Sequence, residues 1–144
     1  MADAKSPTPG EITIMAAAVV AVIFSFFDFY TFDVGTFSSS ANVWSSGLFP
    51  VATLMVIFVF IMGLQIALTK FANLALPDRP FGFTWEQIHL VLGFFAALYA
   101  VAYLLLSKGA ASFGIGFWFI LIACVAALVG AVLLMRERAT APPP

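Results

Sequence analysis

Four stretches of this chain stay apolar for about the length that a bilayer core of roughly 30 Å requires of a helix rising about 1.5 Å per residue. They run from Ile12 to Tyr30, Leu48 to Thr69, Gln87 to Leu106 and Phe113 to Met135. Polar residues gather between the runs instead of recurring inside them, so each helix is apolar almost all round, as a membrane span is. An unsatisfied backbone group in hydrocarbon costs several kcal/mol, so each run is helical there despite its Val, Ile and Phe content. The pattern predicts an all-α, polytopic membrane protein: an antiparallel four-transmembrane-helix bundle over 12–135, between a tail over 1–11 and a Pro-rich tail over 136–144.

The boundaries carry their own signals. Ser45 or Ser46 can cap the second helix, with Pro50 in its first turn, where a missing N–H costs little. Thr84 and Gln87 have capping-box spacing at the start of the third helix, and Ser112 is a cap for the fourth. The loop from Phe29 to Gly47 is the longest and holds Asp33, the serines 38–40 and Asn42 without any Lys or Arg. Short turns make consecutive helices antiparallel neighbours. The first run reaches Tyr30 without a small-residue cleavage site closing a short apolar core, so it is expected to be a retained span rather than a secretory signal. The two halves show no internal repeat of the kind inverted-repeat transporters carry.

Composition narrows the picture further. Of 144 residues, 63% are hydrophobic and 9% charged, with a mean hydropathy of +1.10; soluble domains carry about 25% charged residues. Lipid is the medium this implies. A formal charge of −1 gives no electrostatic footprint for nucleic acid. Cys124 is the single cysteine, which excludes an intrachain disulfide or a CxxC pair. Five of the six basic residues, Lys5, Lys70, Arg79, Arg136 and Arg138, fall on the side of the termini, and Lys108 falls on the other. The positive-inside rule therefore predicts both termini in the cytoplasm and a multi-pass plasma-membrane location. Trp44 and Trp118 then mark the outer interface and Trp85 the inner one.

Intramembrane polar groups are the usual signposts to function, and here they are few. Asp28 lies about 24 Å along the first run at 1.5 Å per residue; with Asp33 it is either an acidic outer mouth for a cation or a solvated helix end. Glu11 and Glu86 sit at helix starts, where a carboxylate complements the macrodipole. Gln65 is read as a hydrogen-bonding contact to a neighbouring helix, with a ligand contact as the alternative. His89, one turn into the third helix, is read as donating to a carbonyl or to Glu86, with proton relay as the alternative. Haem or zinc needs several donors on facing helices, so no catalytic residue, metal or cofactor is expected. Gly93 with Ala97, and Ala126 with Gly130, have the small-residue spacing that lets helix backbones approach within one bundle or between protomers. Six aromatics between Phe24 and Phe32 form an interface belt or a groove for lipid or a partner.

The entry into the second helix through Trp44, Ser45, Ser46 and Gly47, the Pro-Asp-Arg-Pro loop from Pro77 ahead of Trp85, and the Ala- and Pro-rich tail together resemble small four-pass membrane proteins of high-GC Gram-positive bacteria. The resemblance spans most of the chain in layout. It implies a plasma-membrane location and says nothing of catalysis. Small multidrug exporters look different, since they carry a membrane-embedded glutamate in helix one where this chain has only Glu11 at the boundary.

The expected role is thus a non-catalytic accessory, scaffold or assembly subunit whose partners are membrane lipids and other integral membrane proteins or copies of itself. A small oligomeric transporter or channel using Asp28, Asp33 and Gln65, and a lipid-binding protein using the outer aromatics, are the rivals. The medium is directly testable: after detergent-free lysis and high-speed centrifugation the protein should sediment with membranes. Recovery as a compact monodisperse particle in the supernatant would contradict the four-span reading.

Overall fold

The computed structural model describes residues 6–106 and 109–140. Lys5 and Lys108 of the orientation count, and the ends of both expected tails, lie outside the described residues. Four helices make up most of the structure: α1 (Pro9–Phe24), α2 (Val51–Lys70), α3 (Trp85–Leu105) and α4 (Ile115–Thr140). α1 packs against α4 and α2, and α3 against the same two, so the helices close a ring in chain order with little contact across it between α2 and α4. The first and last described residues of the bundle share one end, called here the termini end.

α2, α3 and α4 are each long and apolar enough to cross a membrane. α1 is not: at 16 residues it spans only about 24 Å. The expected first span to Tyr30 therefore stops early. The Ser25 hydroxyl donates to Val22 O at 2.6 Å and accepts from the Trp44 indole at 3.0 Å, fixing the chain as it leaves the helix. Beyond it the backbone finds partners outside the helix, which ends the need for helical pairing.

Those partners correct the all-α expectation. Tyr30–Val34 (β1) and Phe37–Ala41 (β2) form a hairpin, and Ala111–Phe113 (β3) pairs with the other edge of β1. Both pairings are antiparallel, with Tyr30 opposite Ala41 on one side and Phe113 on the other. Val34 faces Phe37 across a two-residue turn in which Gly35 has φ +65°, the left-handed geometry that matches strand twist in tight hairpins. This small sheet covers the end of the bundle opposite the termini. Phe29 and Val43 are fully buried beneath it, and Phe29 meets Tyr30, Tyr103 and Phe117 edge-on with centroids 5.0–5.2 Å apart. Burial, and then the nearby Tyr103, push the Tyr30 hydroxyl above its ordinary range.

Other boundaries also move. α1 starts at Pro9, within the expected tail, because Thr8 and Glu11 form a reciprocal capping box around a proline at the first helical position. α2 starts at Val51 with Pro50 as its N-cap and no side-chain cap, so neither Ser45 nor Ser46 serves; the turn ahead of it is closed by Leu48 and Phe49 N–H groups donating to Ser45 O. The Thr84–Gln87 capping box of α3 is present. Ser112 lies in β3 rather than capping α4, and α4 runs on to Thr140, which makes residues 136–140 helical instead of tail.

Close approach between helices rests on particular glycines. A Cβ on Gly130 would meet Gly10 O at 3.0 Å and the Ile14 N at 3.2 Å, so α1 and α4 touch backbone to backbone there. A Cβ on Gly93 would lie 3.1 Å from Leu128 Cα, setting the α3–α4 distance. Cys124 is fully buried in the same core. Replacing Gly130 by Val should therefore destabilise the protein by about 1–3 kcal/mol through overpacking. Gly47→Ala, at a site with no atom near its would-be Cβ, should leave the thermal midpoint in detergent within a degree or two; equal midpoints for the two variants would refute the seam.

Candidate functional site

The candidate residues named from sequence do not converge on one place. Asp28 lies in the loop after α1 with its carboxylate exposed, and its working part is the backbone: its carbonyl accepts from Gly116 N at 2.9 Å, while Phe29 O accepts from Gly114 N at 2.9 Å. Side chains at Gly114 or Gly116 would collide with the 24–28 backbone. Asp33 sits on β1 opposite Ser38, also exposed. Both belong to the sheet-capped end. Trp44 and Trp118 lie near that end, each about half exposed, and Trp85 lies at the termini end, donating its indole N–H to Pro77 O at 2.8 Å.

The small residues are used inside the chain. Gly93 and Ala97 are buried on α3, and Gly130 is buried in the α1–α4 seam. Ala126 is half-buried and lines a shallow groove between α1 and α4.

Polar chemistry instead collects at the termini end, where the four helices and the 71–84 loop surround a cavity of about 510 Å³. It arises from the way antiparallel helices end. The starts of α1 and α3 present unpaired N–H groups and positive dipole ends, and carboxylates meet them. Glu11 accepts from Thr8 N at 2.9 Å, and Glu86 occupies the first turn of α3. Glu137, in the last turns of α4, reaches across to accept from Gly10 N at 2.9 Å through one oxygen, which places its charge at the start of α1 rather than along its own helix. Cations come from the opposite helix ends: Lys70 pairs with Glu11 at 3.5 Å, and Arg138 with Glu86. Arg138 remains largely exposed, so solvent screening leaves that pair worth little.

Sequence reasoning placed Gln65 and His89 near this end separately, and the cavity holds both. Gln65 makes its hydrogen bond within α2, its amide donating to the Thr69 hydroxyl at 3.1 Å, not to a neighbouring helix as expected. His89 departs further from expectation. It is 2% exposed, and both ring nitrogens lack a hydrogen-bond partner, so it donates neither to a carbonyl nor to Glu86. The second oxygen of Glu137 is likewise buried without a partner. Glu137 itself was missed because residues 136–144 read as a tail; the helix-forming run Arg-Glu-Arg directly after the fourth apolar stretch was the available signal.

Among the described residues no three His, Cys, Asp or Glu side chains are grouped closely enough to hold a metal ion. No protein-family model matches this chain, and no curated protein sequence is detectably similar to it.

A buried polar group without a partner costs about 1–3 kcal/mol. His89→Leu removes two such atoms while keeping most of the volume, and should raise the thermal midpoint of the purified protein, equivalent to about 1 kcal/mol or more. A histidine with a structural partner would show the reverse, so a lowered midpoint contradicts this geometry.

Proposed function

We propose that this chain is a non-catalytic integral protein of the plasma membrane, with its termini in the cytoplasm, that works by packing sideways against other membrane proteins as an accessory, scaffold or assembly subunit. The layout resemblance to small four-pass proteins of high-GC Gram-positive bacteria is in keeping with that setting, and so is the concentration of Lys70, Arg79, Arg136 and Arg138 toward one end.

The observation that carries the reading is a lateral groove of about 460 Å³ between α1 and α2. Its floor is made of small residues, Ala18, Gly63 and Ala67, and its walls include Val19, Phe60 and Leu64. Without a hydrophobic driving force inside lipid, helices associate where small residues let backbones come close and pack by van der Waals contact. The same face belongs to the short helix. An apolar segment shorter than the hydrocarbon thickness is accommodated by thinning the bilayer or by associating with neighbours, and a partner's transmembrane helix in the groove would shield α1 from that mismatch.

The conducting alternative has less support. Asp28 and Asp33 stand at the sheet-capped end and Gln65 at the other. Between them the bundle is filled by apolar side chains such as Met55, Val59, Met62 and Ile120, all fully buried. The lipid-binding alternative depended on the aromatic run, and there Phe29 and Tyr30 face the core, leaving Phe26 and Phe27 as the more exposed members.

A photo-crosslinking residue placed at Val19 or Leu64 in native membranes should give discrete adducts the size of a protein partner, and one at Phe94, a lipid-exposed site on α3, should not. Adducts with lipid alone at all three sites, together with a monomeric particle from mild detergent, would overturn the reading.

A further inference from the structure

The hairpin that follows α1 has two unlike sides. Successive side chains of a strand point to opposite faces, and the register puts Tyr30 beside Ala41, Phe32 beside Ser39 and Val34 beside Phe37 on one of them. Asp33 beside Ser38, and Thr31 beside Ser40, take the other. The first face is turned toward the helices, because the Tyr30 ring is buried there against Phe29, Tyr103 and Phe113. The face turned away carries only hydroxyls and a carboxylate.

Along β1 the exposure of the inward face climbs from 9% at Tyr30 to 36% at Phe32 and 62% at Val34, and Phe37 opposite Val34 is 68% exposed. The strands therefore run out past the cover of the bundle with their apolar side still turned the same way. Water around the tip would favour polar residues on both faces, yet the inward face keeps Phe32, Val34 and Phe37.

The length of α1 sets what lies beside the bundle at this height. Its 16 residues rise about 24 Å, less than the roughly 30 Å hydrocarbon core of a bilayer. A chain leaving the helix there is still at the level of the lipid, not above the headgroups. Trp44 and Trp118, each about half exposed near the same end, are of the residue type favoured at that boundary. Residues 25–50 hold Asp28 and Asp33 and no basic side chain, so burial of apolar surface, rather than attraction to anionic headgroups, is the available source of contact.

From this geometry we infer that the β1–β2 hairpin is a membrane-surface anchor. Its tip lies on the lipid at the end opposite the termini, with Phe32, Val34 and Phe37 sunk in the boundary between headgroups and acyl chains and with Asp33, Ser38 and Ser40 in water. Lipid is the occupant of the apolar face, zwitterionic as readily as anionic, and the contact fixes the height at which the short α1 ends. The inference rests on the membrane setting proposed above and holds whether or not a partner helix fills the lateral groove.

The test uses the full chain in phosphatidylcholine vesicles, with Cys124→Ala as background so that each variant carries one thiol. Spin labels are attached through Asp33→Cys, Val34→Cys, Phe37→Cys and Ser38→Cys, and through Phe94→Cys as an exposed site on α3. The ratio of collisions with oxygen, which concentrates in lipid, to collisions with a water-soluble nickel chelate should be about threefold or more higher at Val34 and Phe37 than at Asp33 and Ser38. Phe94 should give the highest ratio, and added phosphatidylglycerol should leave the contrast unchanged. Equal ratios at the four hairpin sites beside a high ratio at Phe94 would overturn the anchor and leave the membrane setting standing; a low ratio at Phe94 as well would remove both. Shielding of Val34 and Phe37 from both reagents, as a protein surface would cause, or a contrast that appears only with phosphatidylglycerol, would also overturn the inference.

Discussion

The near-contact of α1 and α4 along Gly10 and Gly130 is the constraint on which the rest of the molecule depends. Glycine at both positions permits backbone against backbone, so the packing distance of the two helices is set there. That approach sets what happens at both ends. At the termini end it brings Gly10 N–H within reach of Glu137 and so builds one wall of the polar cavity. At the other end, Gly114 and Gly116 let the backbone leaving α1 lie on the start of α4, which aligns β1 for pairing with β3.

The structure divides its chemistry by height. The middle is apolar and filled with alanine, methionine, valine and isoleucine side chains, the sheet-capped end joins aromatic packing to exposed serines, and the termini end carries the ion pairs. Antiparallel order explains the last of these, since each helix start sits beside a helix finish and opposite charges are drawn to the two. Arg138 and Lys70 complement Glu86 and Glu11 across different helices, so the pairs tie neighbours together rather than decorating single helices.

Much of the helical architecture was legible from the apolar runs, and the sites of Trp44, Trp85 and Trp118 followed from them. What failed had physical causes. The first span was drawn too long because Phe26, Phe27 and Phe29 continue the apolar signal after the backbone has left the helix. The sheet went unread because a five-residue strand beginning Tyr-Thr-Phe and a Gly-Thr turn are a weak signal beside a twenty-residue hydrophobic run, and β3 is specified only by pairing with a strand about 80 residues earlier. The start of α1 and the finish of α4, both at the termini end, extend past the apolar runs because capping and charged residues there look like solvent-exposed tail. The candidate cavity was legible only in fragments: Glu11, Gln65, Glu86 and His89 are visible one by one, but their meeting requires the ring order of the helices, and the missing partners of His89 appear only in three dimensions.

The seam between the first and last helices also bears on biogenesis. Chains emerge from the ribosome amino end first, at about 5–20 residues per second. α4 starts about 90 residues after α1 ends, so the shortest helix spends roughly 5–20 s without the neighbour it touches most closely. During that interval only α2 can hold it. A nascent chain arrested before α4 would leave uncovered the face of α1 that carries Gly10, Ile14, Ala17 and Ala21, so the packing of the first helix is completed only when the last one arrives.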